Sequence, residues 1–323
     1  SVAIGVSVGI AFGGAPDDTS EGLLGAADSA MYRAKREGKG CYREFEASMH
    51  AAAVERMDLE QALRSAVLEP DFTVHYQPVV DARTGAVVAF EALARWSHPT
   101  RGPILPEVFI PLAEELGLIV EIGRRVLFEA CHQARAWHDA HPGLRPAVAV
   151  NVSVRQLVHP GFAADVAAAL ATAKLSPTAL TIEVTESALA SDSGRVVGVL
   201  NRLRATGVRV AIDDFGTGYS SFATLSELPI DILKIDKRFI DNLGVDEERR
   251  GIVGAIIQLA HTLHLETIAE GVEQQEQRHA LQQLGCPLVQ GYLVAGPMPG
   301  DQTLRFMEDA PVPVASLERP AHA

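Results

Sequence analysis

Two periodicities divide the chain. Val2, Ile4, Val6, Val8 and Ile10 alternate with small or polar residues, the period of a β-strand. A loop rich in Gly, Pro and Asp follows over Gly13–Ser20. Ala26, Ala27, Ala30, Met31 and Ala34 then recur at helical spacing, with Gly38 placed to stop the helix. Leu59, Ala62, Leu63, Ala66 and Val67 predict a joining helix that Pro70 closes. Beyond it, short apolar runs predict strands over Thr73–Val80, Val87–Ala92, Ala147–Val152, Leu180–Val184, Val208–Ile212, Ile232–Ile235, Thr267–Ala269 and Leu288–Tyr292. Helical patterns separate most of them, such as Val196, Val197, Leu200 and Leu203, or Ile252, Val253, Ile256 and Ile257. Gly207 and Gly285 stand where helices end. Eight strands with intervening helices point to an α/β fold, a TIM-type (β/α)8 barrel, with a doubly wound sheet as the competing arrangement. The roughly 45 residues of the first block are too few for an independent core. That shortfall, and a chain opening on Ser, read as the end of a larger domain.

The 323 residues carry a net charge of −13, which argues against a nucleic-acid polymer or an anionic membrane as partner. No run of 18 apolar residues predicts a membrane span. Cys41, Cys131 and Cys286 are odd in number and far apart, consistent with a reducing, cytoplasmic setting. His75, His98, His132 and His138 show no metal spacing.

Carboxylates recur at the predicted strand ends: Glu91, Glu183, Asp213 with Asp214, Asp236, then Glu270 and Glu273, with Asn151 among them. In a barrel these ends converge on one face. Gathered acids repel unless a cation neutralises them, and hard oxygen donors favour magnesium or manganese. Neighbouring strand residues face opposite ways, so Asp213 and Asp214 share one site only where the strand yields to a loop, here expected at Phe215–Gly218. One of the pair can then bridge two metals, an arrangement suited to phosphodiester hydrolysis. Lys234 and Asp236 alternate with Leu233 and Ile235, which sends the lysine into the same mouth.

Glu91-Ala92-Leu93 with Arg95 and Trp96, Tyr76-Gln77-Pro78, Asn151-Val152-Ser153, Glu183 to Glu186, Asp213 to Ser221, Lys234 to Asp236, Glu270 to Glu273 and Gln290-Gly291-Tyr292 together resemble the EAL family of cyclic di-GMP phosphodiesterases, over about Leu59 to Pro299. Ile4 to Ser7, Ala26 to Asp28 and Met31 to Lys35 resemble the end of a GGDEF, or diguanylate cyclase, domain, without its signature motif. The resemblance implies a GGDEF remnant over 1–46, a linker over 47–58, an EAL barrel over 59–311 with one antiparallel strand, and a flexible tail over 312–323. It implies hydrolysis of cyclic di-GMP to linear pGpG with two magnesium or manganese ions, inhibition by calcium, and a homodimer formed through the EAL domain. It further implies missing upstream GGDEF or sensor domains, through which the full-length protein could be membrane-anchored. Glu91, Asn151, Glu183 and Asp213 are similar to ligands of one metal, and Asp213 and Asp214 to those of the second. Lys234 would hold or polarise the attacking water, and Glu270 is similar to the proposed general base, with action on the metal or its water as the alternative. Glu186 would steady the Phe215–Ser221 loop and tie binding to dimerisation. Gln77, Leu93, Arg95, Asp236, Glu273 and Gln290 would line the substrate site. A catalytically silent cyclic di-GMP receptor is the alternative, and a dimerising scaffold a third; receptors of this kind typically lose metal ligands, and none of these positions is replaced.

Overall fold

Alternation along eight short strands closes a barrel, and the inward set of side chains then decides everything at its mouth. In the computed structural model, residues 5–14, 19–36, 40–68, 72–191, 193–216, 222–244 and 246–310 are described. The chain divides into two units between Glu69 and Pro70.

The first unit contains β1 (Val8–Ile10), α1 (Ser20–Arg36), β2 (Tyr42–Glu44) and α2 (Ala47–Leu68). β1 and β2 pair in parallel, Val8 opposite Tyr42. The N-terminal strand is shorter than its alternation predicts, because only Val8–Ile10 find a partner; Val2 and Ile4 lie outside the described residues. Gly9 allows β1 to lie against α1, since a Cβ there would meet the Ala27 carbonyl oxygen at 1.9 Å. Gly38 and Pro70, the expected helix stops, also lie outside the described residues. Residues 47–58, expected as a linker, form one continuous helix with those that follow.

The second unit opens with β3 (Phe72–Asp81), β4 (Val87–His98), β5 (Gly102–Ile104), α3 (Pro106–Leu116), α4 (Ile119–Ala140) and β6 (Ala147–Asn151). α5 (Val154–Leu157), α6 (Phe162–Ala173), β7 (Leu180–Thr185), α7 (Glu186–Ser191), α8 (Ser193–Ala205), β8 (Arg209–Phe215), α9 (Phe222–Glu227) and β9 (Ile232–Ile235) follow. The unit ends with α10 (Lys237–Ile240), α11 (Glu247–Thr262), β10 (Glu266–Ala269), α12 (Gln275–Leu284), β11 (Leu288–Gln290), β12 (Met298–Pro299) and α13 (Gly300–Asp309). The barrel order is β3-β11-β10-β9-β8-β7-β6-β4, closed by pairing of β3 with β4. β3 is antiparallel to both of its barrel neighbours, and the other barrel pairings are parallel. The expected modified barrel is therefore the fold.

α4 shows how the outer layer is held. Ile122, Val126, Leu127, Ala130, Ala134 and Trp137 recur on one face and are buried. Trp137 meets Tyr76 edge-on at 5.3 Å and Phe90 at 4.5 Å, and its indole N–H donates to Thr303 Oγ1 at 2.7 Å. Each large apolar side chain buried this way contributes on the order of 1.5–3 kcal/mol. Gly285 ends α12 with φ 83°, the left-handed cap its position predicts. β4 runs six residues past the expected Ala92, because beyond its four residues paired with β6 it continues as a hairpin arm with β3 and β5. None of the described helices is long and apolar enough to cross a membrane. The tail over 312–323 lies outside the described residues.

Candidate active site

Every barrel strand places one polar side chain in the same inward layer. These are Gln77 on β3, Glu91 on β4, Asn151 on β6, Glu183 on β7, Asp213 on β8, Lys234 on β9, Glu270 directly after β10 and Gln290 on β11. Lys234 is fully buried at the centre. Its ammonium lies 2.7 Å from Glu270 Oε1, 2.8 Å from Glu183 Oε2, 3.1 Å from Asp213 Oδ1 and 3.5 Å from Glu91 Oε2. Asn151 Nδ2 donates to Glu91 Oε1 at 2.5 Å, and Gln290 Nε2 donates to Glu91 Oε2 at 2.6 Å and to Gln77 Oε1 at 3.2 Å. Gln77 Nε2 in turn donates to the Ala295 carbonyl at 3.2 Å. Gln290 Oε1 is buried with no hydrogen-bond partner among the described residues, an acceptor left for a donor or cation.

Four carboxylates share one ammonium, so the electrostatics are unbalanced. Burial of Lys234 opposes its charge, but the four acids outweigh it and hold its pKa well above the lysine range. Burial also raises Glu91, yet Lys234 and the amide donors of Gln290 and Asn151 bring it below the usual carboxylate range. Glu183 goes the other way: burial, with Glu91 and Asp213 nearby, raises it well above that range despite Lys234. Burial, with Asp213 and Glu91, pushes Glu270 up to about 8 against the pull of Lys234. Without a further cation, part of this cluster must therefore hold protons near neutrality.

The carboxylate oxygens fall into two groups that could each hold a metal ion. Glu91, Glu183 and Asp213 form one, and Asp213, Asp214 and Glu270 the other, with ligand atoms within 4.8 Å of one another in each. Asp213 belongs to both. An all-oxygen donor set with surplus negative charge and an orphaned acceptor fits a hard divalent cation.

The aspartate pair reaches one site by a route other than the expected loop. Both residues lie inside β8, and the pairing with β9 is irregular between Ile212 and Phe215. Asp214 takes φ 53° there, which turns its side chain back toward the site. Aspartate is among the few residues that tolerate this left-handed conformation. Burial first, then Asp213 and Asp236, pushes Asp214 up to about 6.

The remaining expected residues stand around this ring. Asp236 caps α10 through Arg238 N–H at 2.8 Å and is one of the acids that raise Asp214. Leu93 and Arg95 follow Glu91 on the same face of the β4 arm; Arg95 is half-buried and donates to the Ala94 carbonyl at 2.9 Å. Glu273 is exposed and pairs with Lys237. Glu186 is buried at the start of α7 and accepts the Gly216 N–H at 2.9 Å. Gly216 has φ 95°, and a Cβ on it would meet the Phe239 ring at 2.5 Å, so no larger residue presents its N–H there. The rest of the expected loop, 217–221, lies outside the described residues. Lys237 carries no sequence signal beyond following Asp236, and Glu270 stands close enough to the aspartates to share an ion with them.

Fold and site together define the class, a mixed (β/α)8 barrel with an acidic centre at the C-terminal ends of its parallel strands. The family model for the EAL domain matches residues 60–297, and the chain belongs to that family. It is 45% identical over 304 residues to the bifunctional diguanylate cyclase/cyclic di-GMP phosphodiesterase MucR of Pseudomonas aeruginosa, covering 94% of this chain and 44% of MucR. It is 38% identical over 318 residues to the cyclic di-GMP phosphodiesterase NbdA of the same organism, covering 97% of this chain and 40% of NbdA. The chain thus spans less than half the length of these relatives. A solved structure of the PaMucR phosphodiesterase in complex with c-di-GMP is 46% identical, with a TM-score of 0.72, and the match covers 76% of this chain and 99% of that one.

Proposed function

We propose that this chain is a metal-dependent phosphodiesterase that hydrolyses one phosphodiester bond of cyclic di-GMP to give linear pGpG. The observation that carries the reading is the pair of oxygen clusters sharing Asp213 inside a complete polar ring. Its support from relatives is that MucR and NbdA are named as acting on cyclic di-GMP and the PaMucR structure contains it. The intact acid set favours an enzyme over a silent receptor.

In this reading Glu91, Asn151, Glu183 and Asp213 hold one ion, and Asp213 with Asp214 the other. Two magnesium or manganese ions would supply an acidified water and positive charge at the phosphate oxygens. Lys234 orients the water, and Glu270 receives its proton. Arg95 offers its guanidinium to a phosphate oxygen, while Gln77, Leu93, Asp236, Glu273 and Gln290 line the nucleotide. The water oxygen forms the new bond to phosphorus as the bond to the 3′ oxygen breaks, and that oxygen leaves with a proton.

The first unit is read as the end of a diguanylate cyclase domain. A 304-residue match to MucR is longer than the stretch from residue 60 to the C-terminus, so it takes in much of this unit, and MucR's name includes that activity. A homodimer through the EAL domain and a cytoplasmic setting complete the reading.

The test is incubation of the purified chain with cyclic di-GMP and magnesium or manganese, followed by chromatography. The expected product is pGpG, lost on chelation and suppressed by calcium, which fills oxygen sites without demanding productive geometry. Intact substrate with saturable binding would instead favour the receptor. Glu186→Ala should lower turnover about ten- to a hundredfold by loosening the segment at Gly216, the scale of misplacing a catalytic group. Manganese titration of that variant should still show both ions bound; loss of an ion would place Glu186 within the metal site itself.

A further inference from the structure

The lower half of the barrel is not filled. Barrels of this type pack their interior with layers of bulky apolar side chains. Here the layer beneath the polar ring is lopsided. Val79, Ile232, Ile268 and Leu288 pack as one apolar wall. The facing side is made of Ala89, Ala149 and Thr181, all small, while Ala211 packs into the wall. The layer below that has Ala147, Arg209 and Glu266 in place of apolar plugs. The result is a cavity of about 620 Å³ that opens at the end opposite the candidate active site and reaches up to Glu183. This volume lies within the about 300–1,000 Å³ typical of small-molecule sites.

Charge at its mouth runs against the character of the chain. Arg135, Arg145, Lys174 and Arg209 line it, although the protein carries a net −13. Arg209 is engaged by Glu266 at 2.7 Å, and Arg135 by Asp139. Arg145 and Lys174 have no acidic partner among the described residues, and both are exposed. Lys174 sits at the C-cap of α6 with φ 51°, a conformation that disfavours lysine and suits glycine. Further in, Thr181 is 4% exposed and lines the cavity. Glu183 at the top is already paired with Lys234 at 2.8 Å, so the inner end adds no free cation.

We infer that this lower cavity is a second ligand site, for a compact amphiphile whose apolar body lies against Ile232, Ile268 and Leu288 and whose carboxylate rests between Arg145 and Lys174. The apolar wall selects the body, the unpaired cations select the charge, and Thr181 offers one polar contact within. The site is independent of what the upper face hydrolyses. Its ceiling is the β7 segment that carries Glu183.

Octanoate is the probe, with octanol and acetate as its uncharged and bodiless counterparts. Protein labelled with 13C in its alanine methyl groups should show saturable shifts at Ala89, Ala147 and Ala149 with octanoate, and weaker or no saturation with the other two. Arg145→Gln and Lys174→Gly should each weaken octanoate about three- to fivefold, the scale of an exposed charge pair, and about tenfold or more together. Glycine relieves the left-handed cap, so Lys174→Gly should bind less while melting no lower than the parent, which a purely structural lysine would not do. Absence of saturable shifts would make this a solvent-filled void and overturn the inference. Equal affinity for octanol, or undiminished octanoate binding in the double variant, would overturn it as well.

Discussion

Asp213→Asn should reduce hydrolysis of cyclic di-GMP by at least about a hundredfold, the scale of removing one strong electrostatic contact at a reacting phosphate. The substitution keeps size and hydrogen-bonding capacity and removes only charge. Its effect is expected to exceed that of Asp214→Asn because Asp213 contributes to both oxygen clusters. Manganese stoichiometry by calorimetry should fall below two. The metal-free variant should melt no lower than the parent, since one of four carboxylates crowding Lys234 has lost its charge. A rate within a few-fold of the parent would show that Asp213 is not the shared ligand.

Lys234→Ala should be equally damaging to turnover, and it should also change folding stability in a metal-dependent way. The parent ammonium is buried among four carboxylates. Removing it leaves buried negative charge uncompensated, a loss of about 3–5 kcal/mol for a broken buried ion pair. Divalent ions bound by the same oxygens replace much of that charge, and a ligand that binds only the folded form stabilises it. Urea midpoints should therefore separate strongly in chelator and converge in manganese. Lys234→Met, which keeps the volume, should behave alike, separating charge from packing. Equal midpoints in chelator would mean that Lys234 is not the internal counter-ion.

Much of this site could be read from local pattern. Strand alternation put Lys234 and Asp236 on one face, and the resemblance supplied the members of the polar ring, from Gln77 to Gln290. Features set by distant partners were not legible. The continuation of β4 past Ala92 depends on β3 and β5, and the turn at Asp214 on the irregular pairing of β8 with β9. Lys237 gains meaning only because Glu273 arrives beside it from a segment 36 residues away. The alanines of the lower layer look like ordinary strand residues until the closed barrel sets Ala89 and Ala149, with Thr181, against one wall.

The polar ring has a consequence for how the protein comes to life. Its first and last members, Gln77 and Gln290, touch across 213 residues of sequence, and each barrel strand supplies one group between them. The complete ring needs the closed barrel, because β11 must seat against β3 before Gln290 can donate to Glu91. A nascent chain therefore carries the full ring only once β11 is released and seated. Cation binding, which needs the assembled oxygens, would report completion of the barrel rather than assist its early steps.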